Sequence, residues 1–232
     1  MVDYEKQFGL ATTEWKLGKV FRIVYGWMAA ALVISGVAAW YVFDSGLGER
    51  MLLNNGMAIC LVAELALVFV LSFAINKLPA FVAFLMFIAY SLLNGVTLSV
   101  VFMAYELASV QQVFFITAGM FAGLLFYGSV TKDDLSSVGS LCGMALWGLI
   151  IALVVNLFFH SERLDWIVSF AGVLIFTGLT MYDAQKIRQL AAQEDRLDRA
   201  TVSKLGLIGA LNLYLDFVNF FLYILRFLGK KR

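Results

Sequence analysis

Three acidic residues interrupt the long apolar stretches of this chain: Glu64, Asp183 and Asp216. If those stretches cross a membrane, a carboxylate near the middle of one costs about 3 kcal/mol on insertion scales. Such a group normally faces the interior of a helical bundle, where it has a partner or a function. We therefore take these residues as the candidates for chemistry.

Asp183 and Asp216 could form a pair. Asp183 lies in FTGLTMYDAQKIR and Asp216 in LYLDF. The helices that carry them are consecutive and antiparallel. Asp183 lies ~10 Å and Asp216 ~16 Å from the cytoplasmic end of its own helix, so the two are at similar depths. Two carboxylates within hydrogen-bonding distance in a poorly solvated place cannot both ionise cheaply, so the pair would share one proton. Loss of that proton would replace a hydrogen bond with repulsion and expose oxygens that suit calcium. The pair is a candidate pH latch, ion path and transient calcium ligand.

Other polar residues could line the same path. Asn212 and Asn219 share one helical stripe with Asp216, as do Gly209, Tyr223 and Arg226, because all recur at spacings of three or four. Hydrogen bonding between helices is the alternative role for the two asparagines and Tyr223. Glu64 could lie on the same ion path. Polar residues on the second and third apolar stretches could line the path beside it, and their alternative role is again hydrogen bonding between helices: Ser72, Asn94 and Thr97.

The composition indicates what surrounds these residues. Of 232 residues, 62% are hydrophobic and 14% are charged, against about 25% charged in soluble domains. Long Leu-, Val-, Phe- and Ala-rich runs with a single proline predict an all-α polytopic membrane protein, whereas a barrel would alternate apolar and polar residues. The net charge of +1 gives no reason to expect nucleic-acid binding.

Seven stretches are long enough to cross about 30 Å of hydrocarbon. Residues 1–19 are predicted to be a cytoplasmic tail without a cleaved signal peptide, and residues 230–232 a basic C-terminal tail. The transmembrane domain is predicted at 20–229, with spans at about 20–43, 55–75, 80–104, 110–130, 139–159, 166–187 and 206–228.

The distribution of Lys and Arg predicts the orientation. With a cytoplasmic N-terminus, eleven of the seventeen basic residues lie in inner segments and six in outer ones. Four of those six form the C-terminal cluster, which favours the inside, and a re-entrant seventh segment would place it there. Residues 211–228 contain no Gly or Pro to break a helix, so we expect a full crossing.

The remaining special residues predict packing. Cys60 and Cys142 are far apart and form no CxxC pair, and with the single His160 they cannot supply a zinc site. His160 is expected at the outer interface. Small residues four apart predict close helix approach at two pairs: Gly119 with Gly123, and Gly139 with Gly143.

Several motifs resemble one family over nearly the whole chain. The sixth and seventh spans carry TGLTMYDAQKI and GALNLYLDFVNFFLYILRFLG, and earlier segments carry YGWM, YSLLNGVTLS, TAGMFAGLLFYG and TKDDLS. These resemble the Bax inhibitor-1 family of seven-helix membrane proteins, in its bacterial YccA-like branch.

The resemblance implies a fold and two functions. It implies a seven-helix bundle with the last helix near the centre, and a pH-sensitive calcium leak of the inner membrane whose latch aspartates match Asp183 and Asp216. It also implies a second role as partner or modulator of the membrane-anchored FtsH protease, with the N-terminal tail as contact. Some relatives carry a counter-charge arginine late in the second helix, where this chain has Ile75, Asn76 and Lys77.

Other function classes fit less well. An intramembrane aspartyl protease also uses YD on its sixth helix, but here the second aspartate follows LYL instead of GxG, and Pro79 cannot supply a C-terminal Pro-Ala-Leu motif. A retinal protein needs a lysine in the seventh helix, and this one has none. We therefore expect neither an enzyme nor a bound cofactor, and calcium only as a permeant ion.

Overall fold

The computed structural model of the protein describes residues 4–74, 78–193 and 199–232. These residues form an all-α structure without strands, apart from an isolated β-bridge between Tyr105 and Lys231. The helices are α1 (Tyr4–Asp44), α2 (Leu47–Leu53), α3 (Gly56–Ala74), α4 (Ala80–Ala104), α5 (Leu107–Val130), α6 (Ser136–Phe159), α7 (Glu162–Ala192) and α8 (Arg199–Leu228).

The predicted spans correspond to α1 and to α3 through α8. Several helices extend beyond their apolar stretches: α1 begins at Tyr4, α7 continues to Ala192 and α8 begins at Arg199. The length of an apolar run reflects the thickness of the hydrocarbon layer. The helix can continue beyond that run, because its backbone hydrogen bonds extend into the polar turns that follow. The all-α polytopic fold is confirmed.

The predicted second span is preceded by an additional short helix. Helix α2 lies in a segment that the sequence indicates only as a connection, and it meets α3 at 93°. Asn55, in the break between them, takes a left-handed backbone conformation with φ of 59°. In the described ranges, six helices are long and apolar enough to cross a membrane, or seven if the bent pair α2–α3 forms one span.

Helix α8 is the most buried of these candidate spans. In its most apolar window 61% of the residues are buried, against 6% to 39% in the others. This burial is expected for a helix surrounded by other helices. Its 30 residues form one uninterrupted helix, which favours a full crossing over a re-entrant loop.

The contacts divide the chain into two compact units. The first comprises the described residues of Met1–Val100 and Lys186–Leu211, and the second Val101–Gln185 and Asn212–Arg232. In the first unit, α1 and α4 approach closely at Gly95, where an added Cβ would lie 2.6 Å from Ala38 Cβ. Ser35 Oγ donates a hydrogen bond to Ser91 O at 2.8 Å in the same contact.

In the second unit, a large side chain packs against one of the four glycines that were predicted to mediate close helix approach, but not against the other three. A Cβ at Gly139 would lie 2.5 Å from the ring of Tyr182, so this glycine does mediate close approach. A Cβ added at Gly119, Gly123 or Gly143 would meet no neighbouring atom of the described residues within 4 Å. The predicted packing role of those three glycines is therefore wrong, because α5 and α6 turn these positions away from the neighbouring helices.

The C-terminal residues dock on the connection between α4 and α5. Glu106 N donates to Lys230 O at 2.9 Å, and Arg232 N donates to Ala104 O at 3.1 Å. Lys230 Nζ also lies 2.8 Å from Glu106 Oε1. The end of α8 and the α4–α5 connection therefore lie on the same face of the second unit.

Candidate functional site

The structure brings Asp183 of α7 and Asp216 of α8 together. Their side chains are hydrogen-bonded to each other. Asp216 is only 6% exposed, and Asp183 is half-buried. Within the described part of the chain, no donor group reaches Asp216 Oδ2.

This geometry has a chemical requirement. Two ionised carboxylates are acceptors only, so a hydrogen bond between them needs a proton on one of the two. An unpaired buried oxygen is also costly, and a shared proton reduces that cost. The two carboxyl groups can therefore hold one proton between them and release it. On release, the attraction between Asp183 and Asp216 changes to repulsion.

Asp216 lies in a buried stretch of α8 whose neighbouring residues are largely apolar. Leu213, about one turn earlier on α8, and Tyr214, two residues earlier, are fully buried. Phe217 packs edge-to-face against Phe121 and Phe114 of α5, with ring centroids 5.2 Å and 5.7 Å apart. The low exposure of Asp216 among these buried side chains is the poorly solvated place that the shared-proton interpretation requires.

The residues beside Asp183 pack directly on α5 and α6. Ala184 is fully buried, and together with the Met181 carbonyl it closes the space above Gly128 of α5. The ring of Tyr182 covers Gly139 of α6. These contacts leave α7 little freedom to rotate, so they fix the direction in which Asp183 projects.

Sequence reasoning missed one residue at this site. Gln185 is 3% exposed; its Oε1 accepts a hydrogen bond from Leu135 N at 2.9 Å and its Nε2 donates one to Asp133 O at 2.7 Å. The residue lies near the predicted helix end, where the sequence indicates solvent. Its signal was the joint occurrence of MYDAQ and TKDDLS, because Gln185 of the first motif binds the backbone of the second.

Glu64 lies in a separate polar cluster in the first unit. Asn94 Nδ2 and Thr97 Oγ1 of α4 both donate hydrogen bonds to its carboxylate, the latter at 2.9 Å. Glu64 itself is 9% exposed. The cluster joins α3 to α4, which fits the interhelical alternative; a place on an ion path stays a prediction.

The polar stripe of α8 has several different environments. Asn212 is half-buried, and Asn219 Nδ2 donates to Leu215 O of its own helix at 2.8 Å. Tyr223 packs over Gly172 and stacks on Phe176 of α7. At the Tyr223 end of α8, the stripe therefore packs against α7. The roles of the two asparagines on an ion path stay predictions.

His160 lies in a groove at the end of α6. The groove has a volume of about 310 Å³, and Arg226 pairs there with Asp165 at 3.5 Å. Across the described residues, no group of three or more His, Cys, Asp or Glu is arranged to hold a metal ion. Nothing in the groove assigns His160 a role beyond the predicted interfacial one.

Two predicted features lie outside the described residues. They are the position where relatives carry a counter-charge, residues 75–77, and the first three residues of the N-terminal tail.

Comparison with known proteins identifies the family. A family model described as "Inhibitor of apoptosis-promoting Bax1" matches residues 17–232. The chain is similar to the inner membrane protein YbhL of Escherichia coli, with 44% identity over 211 residues and 90% of each chain covered. An uncharacterized protein of Borreliella burgdorferi is 41% identical over 219 residues, covering 92% of this chain and 93% of the relative. Protein RP147 of Rickettsia prowazekii, also uncharacterized, is 34% identical over 239 residues with both chains fully covered. The match over nearly the whole length, together with the all-helical fold, shows that the chain belongs to the Bax inhibitor-1 family.

Proposed function

We propose that this protein is a pH-sensitive calcium leak channel in which Asp183 and Asp216 form the gate. One observation carries the proposal: the buried carboxyl group of Asp216 is hydrogen-bonded to the carboxyl group of Asp183. That contact needs a proton, and the proton can leave.

In the closed state the shared proton holds α7 and α8 together. The hydrogen bond joins two acidic groups in an apolar surrounding, where such bonds are stronger than in water. Asp216 is only 6% exposed, so little water reaches this contact. We expect this state at low pH.

In the open state both carboxylates are ionised and repel each other. Two unit charges about 4 Å apart repel by about 4 kcal/mol at an effective dielectric constant of about 20. A free energy of that size shifts a two-state equilibrium by about a thousandfold. Loss of one proton is therefore sufficient to separate the helices locally, and the leak is expected to increase with pH.

Calcium fits as a passing ion. Carboxylate oxygens are hard ligands that suit calcium, but a resident calcium ion takes about 6 to 8 oxygens. In the ranges that the structure describes, no acidic cluster offers such a set. Two carboxylates with few further ligands favour brief coordination over tight binding.

The proposal includes a place in the cell. A relative is named an inner membrane protein, and the helices here are long and apolar enough for a multi-pass protein. The excess of Lys and Arg in the predicted inner segments supports a cytoplasmic N-terminus.

The test is a flux measurement in liposomes. Purified protein is reconstituted with a calcium dye inside, and influx is measured between about pH 5 and pH 8 for wild type and for Asp183→Asn combined with Asp216→Asn. We expect influx that rises with pH in wild type and is independent of pH in the double variant. Wild-type influx no greater than that of empty liposomes at every pH would overturn the proposal.

The alternative is a non-transporting modulator of the FtsH protease. This function and the placement in the YccA-like branch remain predictions from the sequence. A modulator needs only a stable bundle and an accessible cytoplasmic tail, so Asp183→Asn would leave its activity intact. Loss of FtsH modulation in that variant would argue against it.

A further inference from the structure

Gln185 connects the acidic pair to a surface segment. Its amide binds two backbone groups of the segment between α5 and α6, residues 131–135, which we name the α5–α6 connection. The partners lie 50 and 52 positions earlier in the chain, so these bonds are tertiary contacts. Gln185 itself is almost completely buried.

An amide is suited to this position. Its carbonyl oxygen accepts and its NH2 group donates, which match the N–H of Leu135 and the carbonyl of Asp133. Leu135 immediately precedes α6, whose first N–H groups have no partners within the helix. Of these early groups, Ser136 N is bound by Asp134 Oδ1 at 2.9 Å. The connection is thus ordered by its own side chains and by Gln185.

Asp183 and Gln185 point in opposite directions from α7. Residues two apart differ by about 200° around a helix and by about 3 Å along it. Asp183 faces Asp216 of α8, while Gln185 faces the α5–α6 connection. Since Ala184 lies between them against Gly128, α7 cannot move at one residue without moving at the other.

We infer that Gln185 is a positioning residue that holds Asp183 against Asp216 and transmits the protonation state of the pair to the α5–α6 connection. The inference rests on the proposed gating by this pair. When the carboxylates repel, α7 carries Gln185 with it, and the hydrogen bonds to Asp133 and Leu135 weaken. The order of the α5–α6 connection at the protein surface therefore depends on whether the gate is open or closed.

Other titratable groups on the packed elements do not account for such coupling. Hydrogen bonds from Ser136 lower the pKa of Asp134 below its usual value, so this exposed group stays ionised from about pH 5 to pH 8. The other titratable or charged residues of the second unit on these elements are Lys132 and Asp133 on the connection, Tyr127 on α5, Cys142 and the C-terminal His160 on α6, Glu162, Arg163, Asp165 and Tyr182 on α7, and Tyr214, Tyr223 and Arg226 on α8. His160, Glu162, Asp165 and Arg226 line the groove at the far end of α6, so the length of that helix separates them from the connection.

The test substitutes Gln185→Leu, which keeps the approximate volume and removes both hydrogen bonds. With Asp183 held less firmly, the protonated, closed state loses stability relative to the open one. More acid is then needed to close the channel, so the midpoint of the leak shifts to lower pH by about 0.5 to 1 unit. The matched control is Thr117→Val, because among the described residues the buried Thr117 hydroxyl donates to Val113 O of its own helix; its midpoint should stay at the wild-type value.

Hydrogen exchange of the α5–α6 connection gives a readout that does not depend on flux. After correction for the intrinsic pH dependence of exchange, wild-type protection at residues 131–136 should fall as pH rises. In Asp183→Asn this dependence should be absent. If wild type passes no calcium, the proposed function fails, and the exchange data alone decide the inference.

Two results would overturn the inference. One is a Gln185→Leu protein that melts at a lower temperature but keeps the wild-type leak midpoint, since Gln185 would then support only the fold. The other is protection of the connection that does not change with pH in wild type.

Discussion

An asparagine at position 216 could form hydrogen bonds with α7 without the cost of a carboxyl group in the membrane. The aspartate therefore calls for an explanation beyond packing. Its burial and its bond to Asp183 supply one, because only a titratable group makes the contact between α7 and α8 depend on pH. The same argument identifies the residue from the sequence alone.

Substitution Asp216→Asn should remove the pH dependence of the leak. The amide can donate to the Asp183 carboxylate without a shared proton, so the contact persists when Asp183 is ionised. We expect a low influx that is constant between about pH 5 and pH 8 in the liposome assay. Asp216→Glu is the matched control and should remain pH-dependent with a different midpoint. An Asp216→Asn protein whose influx rises with pH as in wild type would contradict this role.

Glu64 should contribute mainly to stability. Both of its carboxylate oxygens accept hydrogen bonds, from Asn94 and Thr97. Glu64→Gln leaves one acceptor for two donors, so we expect a loss of about 1 to 3 kcal/mol and a lower melting temperature in detergent. Thr97→Val, which leaves the bond from Asn94, should cost less. Unchanged stability of Glu64→Gln together with reduced calcium influx would instead support the predicted ion path.

At the scale of helices, glycines decide how closely α5, α6 and α7 approach. Gly128 and Gly139 lie under residues 181–184 of α7 and so determine where Asp183 projects. Sequence spacing identified Gly139 but also selected Gly119, Gly123 and Gly143, where an added Cβ would meet no described atom within 4 Å. Spacing alone cannot show which face of a lipid-exposed helix meets a neighbour, because glycine is compatible with both environments.

Two glycines one turn apart on α6 provide a matched test. In Gly139→Ala the new methyl group would overlap the Tyr182 ring, so we expect a loss of about 1 to 3 kcal/mol of stability. Gly143→Ala meets no atom within 4 Å and should be neutral or more stable by up to about 1 kcal/mol, because alanine favours the helix. Denaturant unfolding in detergent measures both. Equal effects of the two substitutions would show that the Tyr182 contact does not hold α6 against α7.

For the whole molecule, the sequence predicted most where placing a residue in the wrong surroundings is costly, such as an apolar run in water or a carboxylate in the membrane. The apolar runs predicted the all-α membrane fold, and the three intramembrane carboxylates identified both polar clusters. Helix α2 had no sequence signal, because its seven residues lie in a short segment without an apolar run of its own. The bonds from Gln185 were missed as well, because they join residues 50 positions apart and the joint occurrence of the two motifs does not show which atoms meet.

The topology can be tested by labelling single cysteines. The C-terminal residues dock on the α4–α5 connection, which lies outside if the N-terminus is cytoplasmic. In a background with Cys60 and Cys142 replaced by alanine, Arg232→Cys should react with a membrane-impermeant thiol reagent added outside the inner membrane. Lys132→Cys should react only after lysis. The opposite pattern would reverse the proposed orientation.

The central claim is that Asp183 and Asp216 share a proton whose release opens the channel. Infrared difference spectroscopy of the reconstituted protein measures this most directly, because a protonated carboxyl group has its own C=O band. We predict a band that disappears as pH rises, over the same range in which calcium influx increases, and that is absent from the Asp183→Asn, Asp216→Asn double variant. A wild-type spectrum without a pH-dependent carboxyl band, or the same band in the double variant, would contradict this mechanism.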